Sequence, residues 1–394
     1  VKLPPLRQDS FRGLYQRGKG DNAPDNYFTD SLNNRFVKSG VLTRFGTALN
    51  FSKNDIIRFF VYKRLNETPR FLVLVTGGSI FDSLYGPAIY TDATFTDFSF
   101  INYNNRAYIT PHNRTSGIAG RYLLVYDGSG TARLAAGTPP TGFNIGFANS
   151  GISGKVEAGY HLFAVAYGTS TGFITAPGPA VFPALLCPGG QSVLLSNIIA
   201  GPSYVSKRYL LATKAIPVNS LSDNRYAYEL FFIPSSSGGI INDNTTTTAT
   251  VDFYDASLVD SADYLIDNLS TISAGVGLTI YDNRLVIWGE NGNEHSFRCS
   301  KSLNPETFNS ITGVQTVDPS DSGGGIRNCV EHRKSLIICK SNRVYITGSN
   351  GDEPSTWSVN SVDPSCGTEA FGISTILDAK GTSNDRLFIG SRPG

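Results

Sequence analysis

The chain has 394 residues, 40 % of them apolar and only 16 % charged, with a formal net charge of +1. That length points to two or three domains, and the composition excludes an intrinsically disordered chain. The charge balance excludes a general attraction to nucleic acid or to an anionic membrane.

In chain order, residues 1 to about 50 contain few alternating runs and read as an extended N-terminal arm. The arm is either an ordered edge of the fold or a reach to a neighbouring subunit. Within it, Arg35, Lys38 and Arg44 are spaced to sit on one exposed side. Solvated charge is the plain account of them, and contact with acidic groups of a partner is the functional one. The start, "VKLPPLRQDSFRG", lacks the apolar core of a signal peptide. No run of about 18 apolar residues occurs, so no membrane anchor is expected.

Residues 51–150 carry strand-like runs such as "IIRFFVYKR" (Ile56–Arg64), "RFLVLVTGG" (Arg70–Gly78) and "RYLLVYDGSG" (Arg121–Gly130). Most close on Gly, Asn or Asp, as hairpin strands do. "AAGTPPTGFNIGFANSGISG" (Ala135–Gly154) reads as a linker, because Pro and scattered Gly do not hold a central strand. Residues 155–265 then form a block of short strands and frequent turns, as expected for a seven-strand β-sandwich of roughly 100 residues. Its first run alternates Tyr160, Leu162, Ala164 and Ala166 with His161, Phe163, Val165 and Tyr167, and one of these sets is expected to face the core. No Cys–Trp–Cys pattern is present, so an immunoglobulin disulfide is excluded and a fibronectin III-like sandwich stays open.

From about 270 to 394 the first kind of strand returns, with "RLVIWG" (Arg284–Gly289) and "SLIICKSNRVYIT" (Ser335–Thr347). Four runs share an Asn/Asp-Arg start: "YNNRAYIT" at Tyr103, "YDNRLVIWGENG" at Tyr281, "KSNRVYITG" at Lys340 and "SNDRLFIGS" at Ser383. Asn suits the left-handed turn before a strand, and Arg then covers apolar surface with its stem. The alternative is a ring of anion-binding arginines. Arg284 to Arg343 is 59 residues and Arg343 to Arg386 is 43, near the repeat of a four-stranded propeller blade. Arg106 to Arg284 is 178, which fits one blade plus an inserted sandwich. The expected fold is all-β, a β-propeller interrupted by an immunoglobulin/fibronectin III-like β-sandwich, with an extended N-terminal arm.

Signals of chemistry are weak. The five cysteines form no CxxC and read as free thiols. The carboxylates Asp352/Glu353, Asp223 and Asp243/Asp252 sit in no calcium-loop pattern and read as surface groups. "SDSGGGIRN" (Ser320–Asn328) is Gly-rich, but no helix follows to make it a phosphate cradle. "SNGDEPSTW" (Ser349–Trp357) echoes an Asp-box with wrong spacing and reads as a hairpin turn whose Trp packs between blades. No catalytic, cofactor-binding or metal-binding residue is assigned.

The arm "FRGLYQRGKGDNAPDNYFTDSLNNRFVKSGVLTRFG" resembles the N-terminal segment of the tail nozzle and tail hub proteins of short-tailed bacteriophages, at Gly13, Asp21, Pro24, Asn33 or Asn34, Phe36, Gly40, Leu42, Arg44 and Gly46. "NRLVIWGENGNEHSFRCSKSLNPETFNS" (Asn283–Ser310), with its S-x-x-x-x-P-E-x-F pattern, is similar to the propeller of the same proteins. The resemblance covers roughly 1–50 and 270–390. The middle block is similar to inserted modules of that family in pattern only.

The resemblance implies a structural virion protein, not an enzyme, needing no cofactor. It implies a homo-hexameric ring below the portal and its adaptor, forming part of the genome-ejection channel in the virion tail and assembled in the bacterial host cytoplasm. Expected partners are the adaptor, tail fibres or tailspikes and tail tip proteins, with double-stranded DNA passing without specific binding. Two rival readings share the fold: a carbohydrate-active or glycan-binding propeller, which requires a pocket with Arg, Tyr and two carboxylates, and a tail-tip protein of a long-tailed phage. The chain starts with Val, contains no Met and stops just after a strand begins, which reads as part of a longer or altered gene product.

Overall fold

The computed structural model describes residues 55–363, apart from 85, 114–117, 142–145, 223, 225–226, 350 and 352, together with 366–368 and the backbone of four outlying strands. The chain divides into two units, Val1–Lys53 and Asn54–Gly394. In the first, strands Asn34–Val37 and Gly40–Thr43 pair antiparallel, so the segment read as an extended arm contains a hairpin.

The second unit is all-β, and among the described residues helical structure is limited to short 3-10 turns. Sheet A joins Ile56–Tyr62, Arg70–Val75, Ser79–Asp82 and Ala88–Thr91 in sequence order. Sheet B is built from Asp97–Tyr103, Arg106–Asn113, Leu124–Tyr126 and Arg133–Leu134, with Ile118–Ala119 pairing its second strand. Sheet C runs Gly277–Tyr281, Arg284–Glu290, Asn293–Cys299 and Val314–Thr316, and sheet D runs Asn328–His332, Ser335–Cys339, Val344–Thr347 and Val359–Asp363. A last antiparallel pair is Ser374–Ile376 with Leu387–Ile389.

The first strands of these sheets lie side by side in order, A against B, B against C, C against D, and D against Ser374–Ile376. Each junction is an apolar core. Tyr62, Leu72 and Leu74 of A meet Phe98, Ala107 and Ile109 of B. Tyr108, Leu123 and Val125 on the other face of B meet Leu285 and Ile287 of C. Trp288 and Phe297 of C meet Leu336, Ile338 and Tyr345 of D, with Trp357 buried between them. Each Leu, Ile, Val or Phe among them contributes about 1.5–3 kcal/mol when fully buried, so every sheet leans on its neighbour. Sheet A differs. Its outer face leaves Ile57, Phe59, Val61 and Phe71 exposed, with the Phe59 and Phe71 rings edge to face at 5.7 Å.

Sheets B and C are adjacent although some 140 residues separate them. The chain leaves B after Leu134 and returns at Ile272, whose carbonyl accepts from the Leu123 amide, while Tyr122 bridges Ser273. Ser99 Oγ donates to the Val276 carbonyl at 2.8 Å, and Tyr103 Oη to the Asn283 carbonyl at 2.6 Å.

The excursion between them begins earlier than the sequence indicates. The segment read as a linker contributes the long strand Gly146–Val156. That strand lies at the edge of the sheet it forms with Gln191–Ser196 and Ala249–Val251, and its register breaks after Asn149 and after Ser153. An edge with bulges tolerates the glycines that a central strand does not. A second, larger sheet joins Phe163–Thr169, Val205–Ala212, Phe231–Phe232 and Ile240–Ile241, and a separate two-stranded ladder pairs Gly159–His161 with Leu185–Cys187. The two sheets share one core, with Val156, Val193, Leu195 and Val251 from the first and Phe163, Val165, Tyr167 and Leu210 from the second. The alternating set Leu162, Ala164 and Ala166, expected to be solvent-facing if the other set is inward, is buried as well. It packs on Ala180, Ala184, Ile216, Ala262 and Leu265, from loops and a 3-10 turn that cover the sheet.

Three of the four Asn/Asp-Arg starts lie within the described residues and are turns, but they are not equivalent; the fourth, at Asn384–Arg386, lies outside them. Asn104–Asn105 and Asp282–Asn283 have φ between +47° and +63° and link the first and second strands of B and C. This is the two-residue hairpin geometry that favours Asn. In sheet D the same place is held by Arg333–Lys334, also at positive φ. Asn342–Arg343 instead link its second and third strands. The repeat from C to D is therefore Arg284 to Ser335, 51 residues, not the 59 between arginines. Replacing Asn283 by Ala is expected to cost about 1 kcal/mol in urea unfolding, and Asn283→Gly nothing measurable, because only the side-chain clash at positive φ is being varied.

Candidate functional site

The first strands of sheets A to D border a cleft of about 350 Å³. Alternation along Ile56–Tyr62 turns Arg58, Phe60 and Tyr62 toward sheet B. Arg58 Nη2 lies 3.0 Å from Asp97 Oδ2, at the start of the neighbouring strand. Directly across the ladder from Asp97 is His112, whose Nε2 is 3.8 Å from the same oxygen. The Phe98 amide donates to Asp97 Oδ1 at 2.9 Å. The opposite wall is apolar, with Leu278, Trp288, Cys329 and Val330. Trp288 fits because Gly277 faces it: a Cβ there would stand 1.9 Å from Trp288 Cζ2.

This cleft offers one guanidinium, one carboxylate committed to it, and one imidazole. Among the described residues, its lining includes neither the tyrosine nor the second carboxylate that the carbohydrate-active reading requires. Burial pushes the Cys329 thiol well above its ordinary value, which suppresses the nucleophilic thiolate. All five cysteines are unpaired. Among the described residues, no group of three or more His, Cys, Asp or Glu side chains converges as a metal site.

The three described arginines of the Asn-Arg runs are not brought together, and Arg386 of the fourth run lies outside the described residues. Arg106 Nε donates to Asp127 Oδ1 at 2.8 Å. Arg284 Nη1 donates to the Ser300 carbonyl at 3.2 Å, with its guanidinium over Trp357. Arg343 approaches Asp318 at 3.8 Å. None of the three lines the cleft. Arg35 lies on the strand Asn34–Val37, opposite Leu42. Its side chain, and Lys38 and Arg44 altogether, lie outside the described residues.

Two buried ionic groups hold the sheets in place. Glu306, fully buried, accepts from Arg133 Nη1 at 2.9 Å, Arg133 Nη2 at 3.1 Å and the Ala136 amide at 2.7 Å. Arg133 ends sheet B, and Glu306 lies between the third and fourth strands of sheet C. Tyr204, from the excursion, covers the guanidinium at 5.4 Å. Glu306 is the Glu of the P-E-x-F pattern, and Phe308 is buried in the core between B and C.

The second group is Lys340, fully buried at the end of the second strand of sheet D. Its Nζ donates to the Asp318 carbonyl at 2.7 Å and Asp321 Oδ1 at 3.2 Å, and sits 3.1 Å from His295 Nδ1. Tyr345 Oη also donates to Asp321. The Gly-rich loop is folded over this lysine. Gly323 packs so closely that a Cβ would stand 2.2 Å from Asn342 Oδ1. Gly325 packs likewise, since a Cβ there would stand 2.7 Å from Glu294 Cβ, and Gly324 turns the chain at φ +66°.

Burial alone would raise the Asp321 carboxyl, but the hydrogen bonds from Tyr345 and Lys340 outweigh it and hold the group below the usual carboxylate range. A lowered folded value favours the ionised form, so its contribution is complete at neutral pH and fades as pH falls through that value. The stability gap between the wild type and Asp321→Asn is therefore expected to be constant from neutral pH down to about pH 4 and to close below it. Urea midpoints measured across that range check this.

In comparisons with known proteins, no protein-family model and no curated protein matches the chain.

Proposed function

We propose that this chain is a structural component of a bacteriophage tail, a nozzle or hub protein. Sheets A to D are consecutive blades of a β-propeller, and the two-sheet excursion is a fibronectin III-like sandwich inserted between the second and third. The observation that carries the reading is the continuity of B and C across that excursion. A chain that resumes the same side-by-side series after some 140 residues, at the very sheet it left, is built as a repeat with an insertion. The P-E-x-F pattern, one of the points of resemblance to tail proteins, contributes the glutamate and phenylalanine that seal this joint. The exposed apolar face of sheet A lies where a closing blade belongs in a propeller.

In this role six copies surround the exit channel, with an adaptor above and fibres or spikes at the flank. The near-zero net charge suits a passage through which DNA slides without being held. Native mass measurement of the purified chain over a range of concentrations tests the proposal. A six-copy species is expected. A monomer at every concentration, with or without the adaptor, sinks it.

A further inference from the structure

On the excursion between sheets B and C, residues 259–267 form a ridge pinned along its length. Phe232 donates its amide to the Asp260 carbonyl, Ala262 donates to Leu230, and Ser310 of the sheet C loops donates to Asp267. Ala262 and Leu265 anchor it in the core beneath. Held in this way, the ridge turns three apolar side chains outward: Val259 is 74 % exposed, Tyr264 50 % and Ile266 67 %. Grooves flank it on both sides. One, of about 590 Å³, is lined by Pro139, Pro140, Pro177, Pro179, Tyr228 and Leu230 and reaches Ile266. The other, of about 740 Å³, is lined by Tyr209, Phe232 and Ile240 and reaches Val259 and Tyr264.

The rim of these grooves is acidic. Asp260, Asp263, Asp267 and Glu229 are exposed, and no ion pair to them is found among the described residues. Among the described residues, Lys301 faces the ridge, its Nζ 5.5 Å from the centre of the Tyr264 ring. The bias is regional. Residues 215–283 hold nine carboxylates against a single arginine, in a chain whose net charge is +1.

We propose that this ridge and its two grooves dock a basic segment of a partner protein, one that carries Lys or Arg beside Leu or aromatic anchors. Two features select that occupant. The unpaired carboxylates around the apolar surface attract cationic side chains and repel acidic ones, which sets specificity. The pinned backbone and rigid prolines keep the grooves formed beforehand, so little ordering is lost on the receiving side when anchors enter. A sugar ring fits less well, because Tyr264 already faces Lys301 on one contact and Phe232 at 6.4 Å on another. The surface has this character whatever assembly the chain joins.

Selection of short random peptides on the full chain tests it, followed by affinity measurement of the enriched peptides at low and high salt. The enriched pool is expected to be net positive with at least one large apolar residue, and its binding to fall with salt. Neutralising the rim with Asp260→Asn, Asp263→Asn and Asp267→Asn together should weaken binding about tenfold, and Ile266→Ser should do so independently. These side chains are exposed, so the thermal midpoint should not move. Reversal by Asp263→Lys with Asp267→Lys should turn the selection toward acidic peptides, which damage to the fold cannot imitate. The proposal is overturned if no peptide is enriched, if the wild-type pool is neutral or acidic, if the ridge variants leave binding unchanged, or if neutral glycans bind the ridge instead.

Discussion

Glu306→Ala is expected to destabilise the second unit by about 3–5 kcal/mol, the range for removing one partner of a buried ion pair. The carboxylate is fully buried and accepts three hydrogen bonds, two from the Arg133 fork and one from the Ala136 amide. Its loss leaves a largely buried guanidinium and an amide without their acceptor. The effect should be local as well as global. The Ala136 amide should exchange with solvent faster in Glu306→Ala, whereas Glu306→Gln keeps an acceptor and should lose less. Arg133→Ala combined with Glu306→Ala should cost much less than the two single changes added together, because neither charge is then left alone. Urea unfolding with amide exchange checks all three. A loss below 1 kcal/mol for Glu306→Ala would mean that the B–C joint does not depend on this clamp.

Lys340→Ala is expected to have a loss of similar size, about 3–5 kcal/mol, for the same reason. The ammonium and the Asp321 carboxylate are both inaccessible to solvent. Removing the lysine strands the carboxylate and also empties the space over which the Gly-rich loop folds. Lys340→Met with Asp321→Leu should recover most of the stability, since two apolar groups of similar size need no partners. Equal losses in the single and double variants would mean that apolar side chains of similar size cannot replace the pair.

These two groups show where sequence legibility ends. Strands were visible because alternation and turn residues are local, and Asn104–Asn105 and Asp282–Asn283 have the left-handed turns that Asn favours. The repeat length was misjudged because the same turn chemistry serves any hairpin. Asn342–Arg343 sits one hairpin later in its sheet than Asp282–Asn283 does in its own. The strand Gly146–Val156 was hidden by its glycines, which an edge position with bulges allows. The second buried face of Phe163–Thr169 was hidden because the Ala residues that suit close packing carry no strong apolar signal. Glu306 stood inside a quoted pattern, yet its partner lies 173 residues earlier, across the whole excursion. Lys340 opens one of the repeated runs and Asp321 lies in the Gly-rich stretch, but nothing local pairs them, and only the folded loop brings them into contact. The arginines of the repeated runs looked like a possible anion site, but Arg106, Arg284 and Arg343 are each occupied at their own sheet edge.

The central claim is that the sheets form a closed series around one axis and that this unit builds a ring. A three-dimensional electron-microscope reconstruction of the purified chain tests it most directly. The account requires blades arranged radially with their first strands innermost, the outer face of sheet A covered, and six copies around an open channel with the two-sheet excursion at the flank. Isolated particles in which sheets A to D stack without curving round an axis, or in which no channel is present, would contradict it.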